Sequence, residues 1–187
     1  MNSSTGTYSE AGAELDAGAT FASQVVPIAS EATSGDLEGV LGVLGAQLLL
    51  PVVDALAEGT AVETPQDHAK ATFAPKMTKE EGPIDWSQSA QVIHDRVRGL
   101  QPWPLASTTL GGKRIVIRQT RVRLVDSAHR LSPGTIIRAR GDDLIVACAA
   151  GTALQILEIQ PEGRRTMSAR EFLAGRGAVD GDRFGHK

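Results

Sequence analysis

The chain has 187 residues, 41% of them apolar and only 4% aromatic, which is enough to bury one core or two small ones. Its formal net charge of −3 hides a division, because residues 1–90 carry 13 Asp/Glu against 3 Lys while residues 91–187 carry 9 Asp/Glu against 16 Lys/Arg. Such polarity predicts two modules with different partners, and the single cysteine, Cys148, excludes an internal disulfide or a thiolate metal cluster.

The polar start, Met1 to Ser9, lacks the basic and apolar regions of a secretory signal, so a cytoplasmic setting is expected. Residues 1–13 are rich in Ser, Thr, Gly and Ala and are expected to be poorly anchored. Glu14 to Gly18 reads as a turn leading into a strand over Phe21–Ile28. From Thr33 the spacing predicts a helix: Asp36 follows three residues on, and Leu37, Leu41, Leu44 and Leu48 recur at helical intervals to about Gly59. Gly39, Gly42 and Gly45 each cost about 1 kcal/mol relative to alanine inside a helix, and Pro51 predicts a kink. Glu38, Gln47, Pro51 and Asp54 interrupt the apolar run, which predicts no membrane span. Even so, Leu48-Leu49-Leu50 and Val52-Val53 make the helix apolar almost all round, as suits one pressed against a sheet. One strand is not a sheet, and the remaining strands are expected to belong to a domain outside this chain.

Residues 60–86, with Pro65, Pro75 and Pro83, read as a linker containing a short helical turn from Thr78, whose Glu81 stands at the capping-box position. Ser87 is then the expected cap of a helix that puts Ala90, Ile93, Val97 and Leu100 on one face. Pro102-Trp103-Pro104 ends that helix. Strands follow at 106–110, 114–124, 135–140, 143–149 and 153–159, separated by Gly111-Gly112, Pro133-Gly134, Gly141-Asp142-Asp143 and Ala150-Gly151. In the second of them Ile115 and Ile117 have the opposite parity to Val122 and Leu124, so a bulge between Arg118 and Thr120 is required to turn both pairs inward. Five strands with such a bend suit a small OB-like barrel. A last helix, from Ser168 through Leu173, has Glu171 at the box position, and the tail after Gly175 reads as frayed.

Metal chemistry is set aside because His68, His94, His129 and His186 have neither i,i+4 partners nor a cysteine pair. Cys148 lies in an apolar strand, which raises a thiol pKa and makes a poor nucleophile. Trp86 and Trp103 read as buried clamps seating the linker and the helix. The basic half offers Arg114, Arg118, Arg121, Arg123, Arg138, Arg140, Arg164, Arg165 and Arg170. Arg138 and Arg140 share one strand face and Arg121 and Arg123 another. Two readings stand: contact with a nucleic-acid backbone, or charges that keep sheet edges from pairing with other chains.

A family resemblance tips that balance. Pro75-Lys76-Met77, Glu80-Glu81-Gly82-Pro83-Ile84-Asp85-Trp86, Pro102-Trp103-Pro104, Thr108-Thr109-Leu110 and Gln160 to Ala169 together resemble the C-terminal half of methionyl-tRNA formyltransferase, in order over roughly residues 12–176. The resemblance implies an α+β chain: a remnant strand and helix of a Rossmann-like formyltransferase domain over 1–60, a linker over 61–86, and an OB-like tRNA-binding barrel with flanking helices over 87–187. It implies formyl transfer from 10-formyltetrahydrofolate to initiator methionyl-tRNA by the intact enzyme, with no cofactor bound by this chain alone. Asp16 matches the family's catalytic aspartate, but the asparagine-x-histidine and serine-leucine-leucine-proline stretches that accompany it have no counterpart. The chain is therefore expected to be truncated, catalytically silent alone, and completed, if at all, by a separate catalytic domain in trans. By resemblance Lys76, Lys79, Arg114, Arg118, Arg121, Arg123, Arg138, Arg140, Arg164 and Arg165 contact tRNA. Gln101 stands where the family favours asparagine, and Leu105 where it favours glycine. A stand-alone nucleic-acid-binding module and a purely structural barrel from a sugar or folate formyltransferase are the alternatives.

Overall fold

The computed structural model describes residues 8–9, 12–13, 19–67, 69, 75–124, 131–175 and 177–185. The chain forms two compact units, one of Met1–Ser30 with Asp36–Met77, the other of Glu31–Gly35 with Thr78–Lys187.

In the first unit β1 (Tyr8–Ser9) and β2 (Gly12–Ala13) pair antiparallel, and α1 (Ser34–Glu58) begins one residue after the expected cap and ends one before Gly59. The strand expected over Phe21–Ile28 does not form. Only an isolated bridge, Thr20 to Thr64, holds this stretch, and Val25 is 94% exposed. A strand needs a partner, and the described part of this unit supplies none. No described residue between 19 and 67 is buried. Along α1 the least exposed positions, Leu37, Leu44, Leu48, Val52 and Ala55, form a helical stripe, while Val40, Val43, Leu49, Leu50, Val53 and Leu56 stand exposed. Glu38, Gln47, Pro51 and Asp54 interrupt the run less than expected: by length and composition alone, α1 could cross a membrane.

The second unit holds a real core. α2 (Ala90–Gly99) buries Ala90, Ile93, Val97 and the following Leu100, all at 3% exposure or less. Its cap is Ser89, whose Oγ accepts from the Val92 amide, and not Ser87, which bonds Asp85 instead. The strands are β3 (Ser107–Leu110), β4 (Lys113–Arg123), β5 (Ile136–Arg140), β6 (Asp143–Ala147), β7 (Ala153–Pro161) and β8 (Met167–Ser168). They make one antiparallel sheet in the order β3-β4-β7-β6-β5, with β8 on β7. The register shifts between Ile117 and Thr120, as the change of parity requires, so Ile115, Ile117 and Thr120 face the core. Leu124, expected to follow them, lies past the strand end at 99% exposure. α3 (Ala169–Ala174) is capped by Ser168 and Glu171 as its sequence predicts.

The strand ladder does not close into the expected barrel, because β3 and β5 do not pair. The C-terminal tail joins their edges instead. Gly181 N donates to Ile136 O and Ile136 N to Asp182 O along β5, Phe184 N donates to Gly134 O, and Gly185 N reaches Thr109 O on β3. Over its described residues, 177–185, the tail is thus structural, not frayed. Phe184 is 2% exposed and stacks on Trp86 with ring centroids 5.5 Å apart, and Trp86 Nε1 donates to Thr108 Oγ1. Trp86 is the clamp its sequence suggests; Trp103 is 48% exposed and is not. Gln101 takes its place by donating to the Arg118 and Val97 carbonyls.

Leu105 has φ of 71°, in the region that favours glycine. Leu105→Gly relieves that strain but gives up a half-buried side chain of similar worth, so the urea midpoint is expected to move by less than about 1 kcal/mol in stability at unchanged slope.

Candidate nucleic-acid interface

The bulge in β4 organises the arginines. Before it, Arg114 and Arg118 have the parity that points away from Ile115 and Ile117; after it, Arg121 and Arg123 point away from Thr120 and Val122. The two register shifts between Ile117 and Thr120 therefore send all four to the outer side of the strand. Cross-strand pairing extends the set: Arg121 lies opposite Gln155, Gln155 opposite Ile145, and Ile145 opposite Arg138. Residues directly opposite share a face, so Arg121 and Arg138 flank the same surface about 14 Å apart across three strand intervals. Arg123 and Arg140 extend it by one pleat. These residues, read from sequence as two separate faces, occupy one.

Between the arginines lies a small buried apolar cluster. Ile145 and Ala153 are buried with Ile137 against them. Gln155, 6% exposed, donates to Asp142 O and Asp143 Oδ1, while its Oε1 has no partner.

Carboxylates divide the cations into two groups. Arg138 bonds Asp143 at 3.3 Å, Arg165 bonds Glu171 at 2.7 Å, and Arg170 pairs with Asp142. Arg170 holds the Asp142 carboxyl below its usual range. Arg114, Arg118, Arg121, Arg123, Arg140 and Arg164 have no side-chain partner among the described residues. Arg164 sits in the turn after β7, its carbonyl held by Gln160 Nε2 at 3.0 Å while its guanidinium is exposed. Lys79 lies in a 3-10 turn over Lys79–Glu81 whose Thr78 amide donates to Glu81. Lys76, in the first unit, is exposed. Asp16 lies outside the described residues.

Glu171 accepts from the Ser168 amide and hydroxyl and from Arg165, which hold its pKa down at about 2. A depressed carboxyl stabilises fully above its ordinary value of 4.5, and the contribution is lost as pH falls toward 2. Melting temperatures measured between pH 5 and pH 2 are expected to fall more steeply in the natural chain than in Glu171→Gln. Cys148, 2% exposed, has its thiol pushed up to about 12 by burial, which leaves it neutral and unreactive.

Some features have no sequence signal. A strap, Glu31–Gly35, docks on the end of α2: Arg98 Nη1 donates to Ala32 O at 2.6 Å, and Ser34 Oγ to Gly99 O at 2.7 Å. Beside it His94, 5% exposed, bonds Thr120 Oγ1 through Nδ1 and lies 3.9 Å from Glu31. It is a core histidine with polar partners.

A five-stranded antiparallel path with a basic outer side, α3 packed on its core and a tail bridging both edges defines a class. Residues 76–177 match the family described as the formyl transferase C-terminal domain, and the chain belongs to that family. Within it the similarity is to methionyl-tRNA formyltransferases. That of Solibacter usitatus is 41% identical over 173 residues, 92% of this chain and 54% of its own length. That of Staphylococcus epidermidis (strain RP62A) is 37% identical over 162 residues, 87% of this chain and 51% of its own length. The chain spans about half the length of these relatives. Among solved structures, HypX from Aquifex aeolicus in complex with tetrahydrofolic acid superposes with a TM-score of 0.57 at 20% identity, over 86% of this chain and 28% of that one. The N-formyltransferase from Helicobacter canadensis gives 0.57 at 12% identity, over 79% and 52%. Both likenesses are of fold.

Proposed function

We propose that this chain is the tRNA-gripping part of a methionyl-tRNA formyltransferase acting on initiator methionyl-tRNA in the cytoplasm. The observation that carries the reading is the set of arginines on the outer side of the sheet that have no carboxylate partner among the described residues. Charges meant only to guard a sheet edge would serve as well when paired. Arg114, Arg118, Arg121 and Arg123 follow one strand at a pitch of about 3.3 Å per residue, a row suited to phosphate contacts along a backbone. Arg140 and Arg164 join them as primary contacts, while Lys76, Lys79 and the carboxylate-paired Arg138 and Arg165 are secondary members of the proposed set that add little to the salt slope. Aromatic platforms are scarce on this side, so attraction to phosphate outweighs base stacking there.

The reacting groups are a different matter. Formyl transfer from 10-formyltetrahydrofolate needs an oxyanion stabiliser together with a base or orienting carboxylate. Asn2 is the one asparagine in the 187 residues, and no histidine follows it at the family's spacing. The described residues of 19–67 include no buried side chain that could wall a pterin site, so no step through folate is derived for this chain. Asp16 is proposed as a residue able to act only with a catalytic domain in trans, over which the exposed apolar side chains of α1 would pack. Residues 1–60 are then the end of that domain, 61–86 the linker and 87–187 the tRNA module, without a membrane role.

Two measurements on the pure chain test this. Binding of initiator methionyl-tRNA is expected to weaken steeply with salt, and a formylation assay with 10-formyltetrahydrofolate is expected to give no turnover. Turnover would overturn the division of labour, and a shallow salt slope would favour a structural barrel.

A further inference from the structure

Arg164 and Arg165 of the proposed contact set also border a cavity of the second unit. A groove of about 1190 Å³ lies between the β3–β4 hairpin, the turn after β7, α3 and the tail. Lys113 lines it, and it is on the face of β4 opposite Arg114. Its floor is apolar, made by Leu110, Ile115, Pro161, Met167 and Phe172. Gly177 lets the tail cross the Phe172 ring, since a Cβ there would come within 2.5 Å of it. At the rim, Gly111 and Gly112 have no atom within 4 Å of where a Cβ would be, and the mouth is open.

The charges around this floor sort by what already holds them. Glu171 is engaged by Arg165 and Ser168, and Asp182 accepts from Val179 N at 2.9 Å. Lys113 and Arg164, and the carboxylate Glu162, are exposed and have no side-chain partner among the described residues. The volume exceeds the roughly 300–1,000 Å³ of a small-molecule pocket, and the groove is open, which suits a stretch of polymer.

We infer that this groove takes two or three unpaired nucleotides of an RNA, with bases on the apolar floor and phosphates on Lys113 and Arg164. RNA as the occupant rests on the tRNA reading above. Unpaired bases offer a flat apolar face and a charged backbone, which matches a floor of this kind rimmed by cations. Glu162 adds selectivity. A carboxylate accepts from an exocyclic amino group and repels a carbonyl edge, so cytosine is preferred to uracil.

The test uses the full chain, with methyl-labelled methionines observed by NMR during titration with the ribotrinucleotides CCC and UUU. The Met167 methyl is expected to shift with CCC, with affinity for CCC about fivefold or more above that for UUU. The preference is expected to vanish in Glu162→Gln, and the shift in Lys113→Glu/Arg164→Glu; both variants alter exposed side chains only. A silent Met167 at millimolar CCC, an equal shift with tripolyphosphate, or an equal shift with an acidic peptide would each overturn the assignment. Steep tRNA binding with a silent Met167 removes the groove and keeps the tRNA reading. A Met167 response without salt-dependent tRNA binding does the reverse.

Discussion

Phe184→Ala is expected to destabilise the second unit by about 3–5 kcal/mol, seen as a large fall in the urea midpoint at unchanged slope. The residue lies in a glycine- and charge-rich stretch with three residues after it, where truncation to alanine would ordinarily cost little. Here its ring is 2% exposed and stacks within 13° of parallel on Trp86, itself 5% exposed. Such a stack is worth about 0.5–1.5 kcal/mol beyond the buried area. The backbone around it is equally committed. Phe184 N donates to Gly134 O, and Gly134, with φ of 87°, leaves only 2.7 Å between a Cβ and Phe184 O. Gly134→Ala is therefore expected to loosen the same contact by a different route. Because the tail is what joins the edges of β3 and β5, its release exposes unpaired strand groups at both. A cost below about 1 kcal/mol for Phe184→Ala would mean that the sheet holds itself without the tail.

The features that were legible in the sequence are the local ones. The bulge in β4 follows from a change in parity between Ile117 and Val122, because a buried face cannot tolerate a slip by one residue. The cap of α3 follows from Ser168 and Glu171 being three apart, and the buried stripe of α2 from the spacing of Ala90, Ile93, Val97 and Leu100. What sequence reading misplaced depends on partners far along the chain. Phe184 and Trp86 are about a hundred positions apart, and nothing in either neighbourhood announces the other. Phe21–Ile28 has strand-forming residues but no neighbouring strand, and propensity without pairing does not make a sheet. Trp103, between two prolines, looked like a clamp because indoles are large; which of two tryptophans is covered is decided by the tail. The arginine face was half visible. Each i,i+2 pair could be read, but their union needed the β5-β6-β7-β4 order, which alternation along single strands does not specify.

That union gives the second large expectation, a tRNA affinity that falls about a thousandfold between about 50 and 200 mM salt. Arg114, Arg118, Arg121, Arg123, Arg140 and Arg164 are the six arginines of the proposed set without a carboxylate partner among the described residues, and a phosphate contact contributes a slope of about 0.9 in log affinity against log salt. Six contacts predict a slope near −5. The double variant Arg121→Glu/Arg123→Glu is expected to reduce it by about two and to weaken binding about tenfold or more at physiological salt, alike for initiator and elongator tRNA. Arg138→Gln supplies the contrast. Its guanidinium is already bonded to Asp143, so contacting a phosphate would mean giving up that partner, and the slope is expected to change by less than half a unit. Should Arg138→Gln and the double variant reduce the slope equally, the carboxylate pairing would not be what selects the contacts. Should neither alter it, the arginines guard the sheet edge, and the grip on tRNA lies elsewhere.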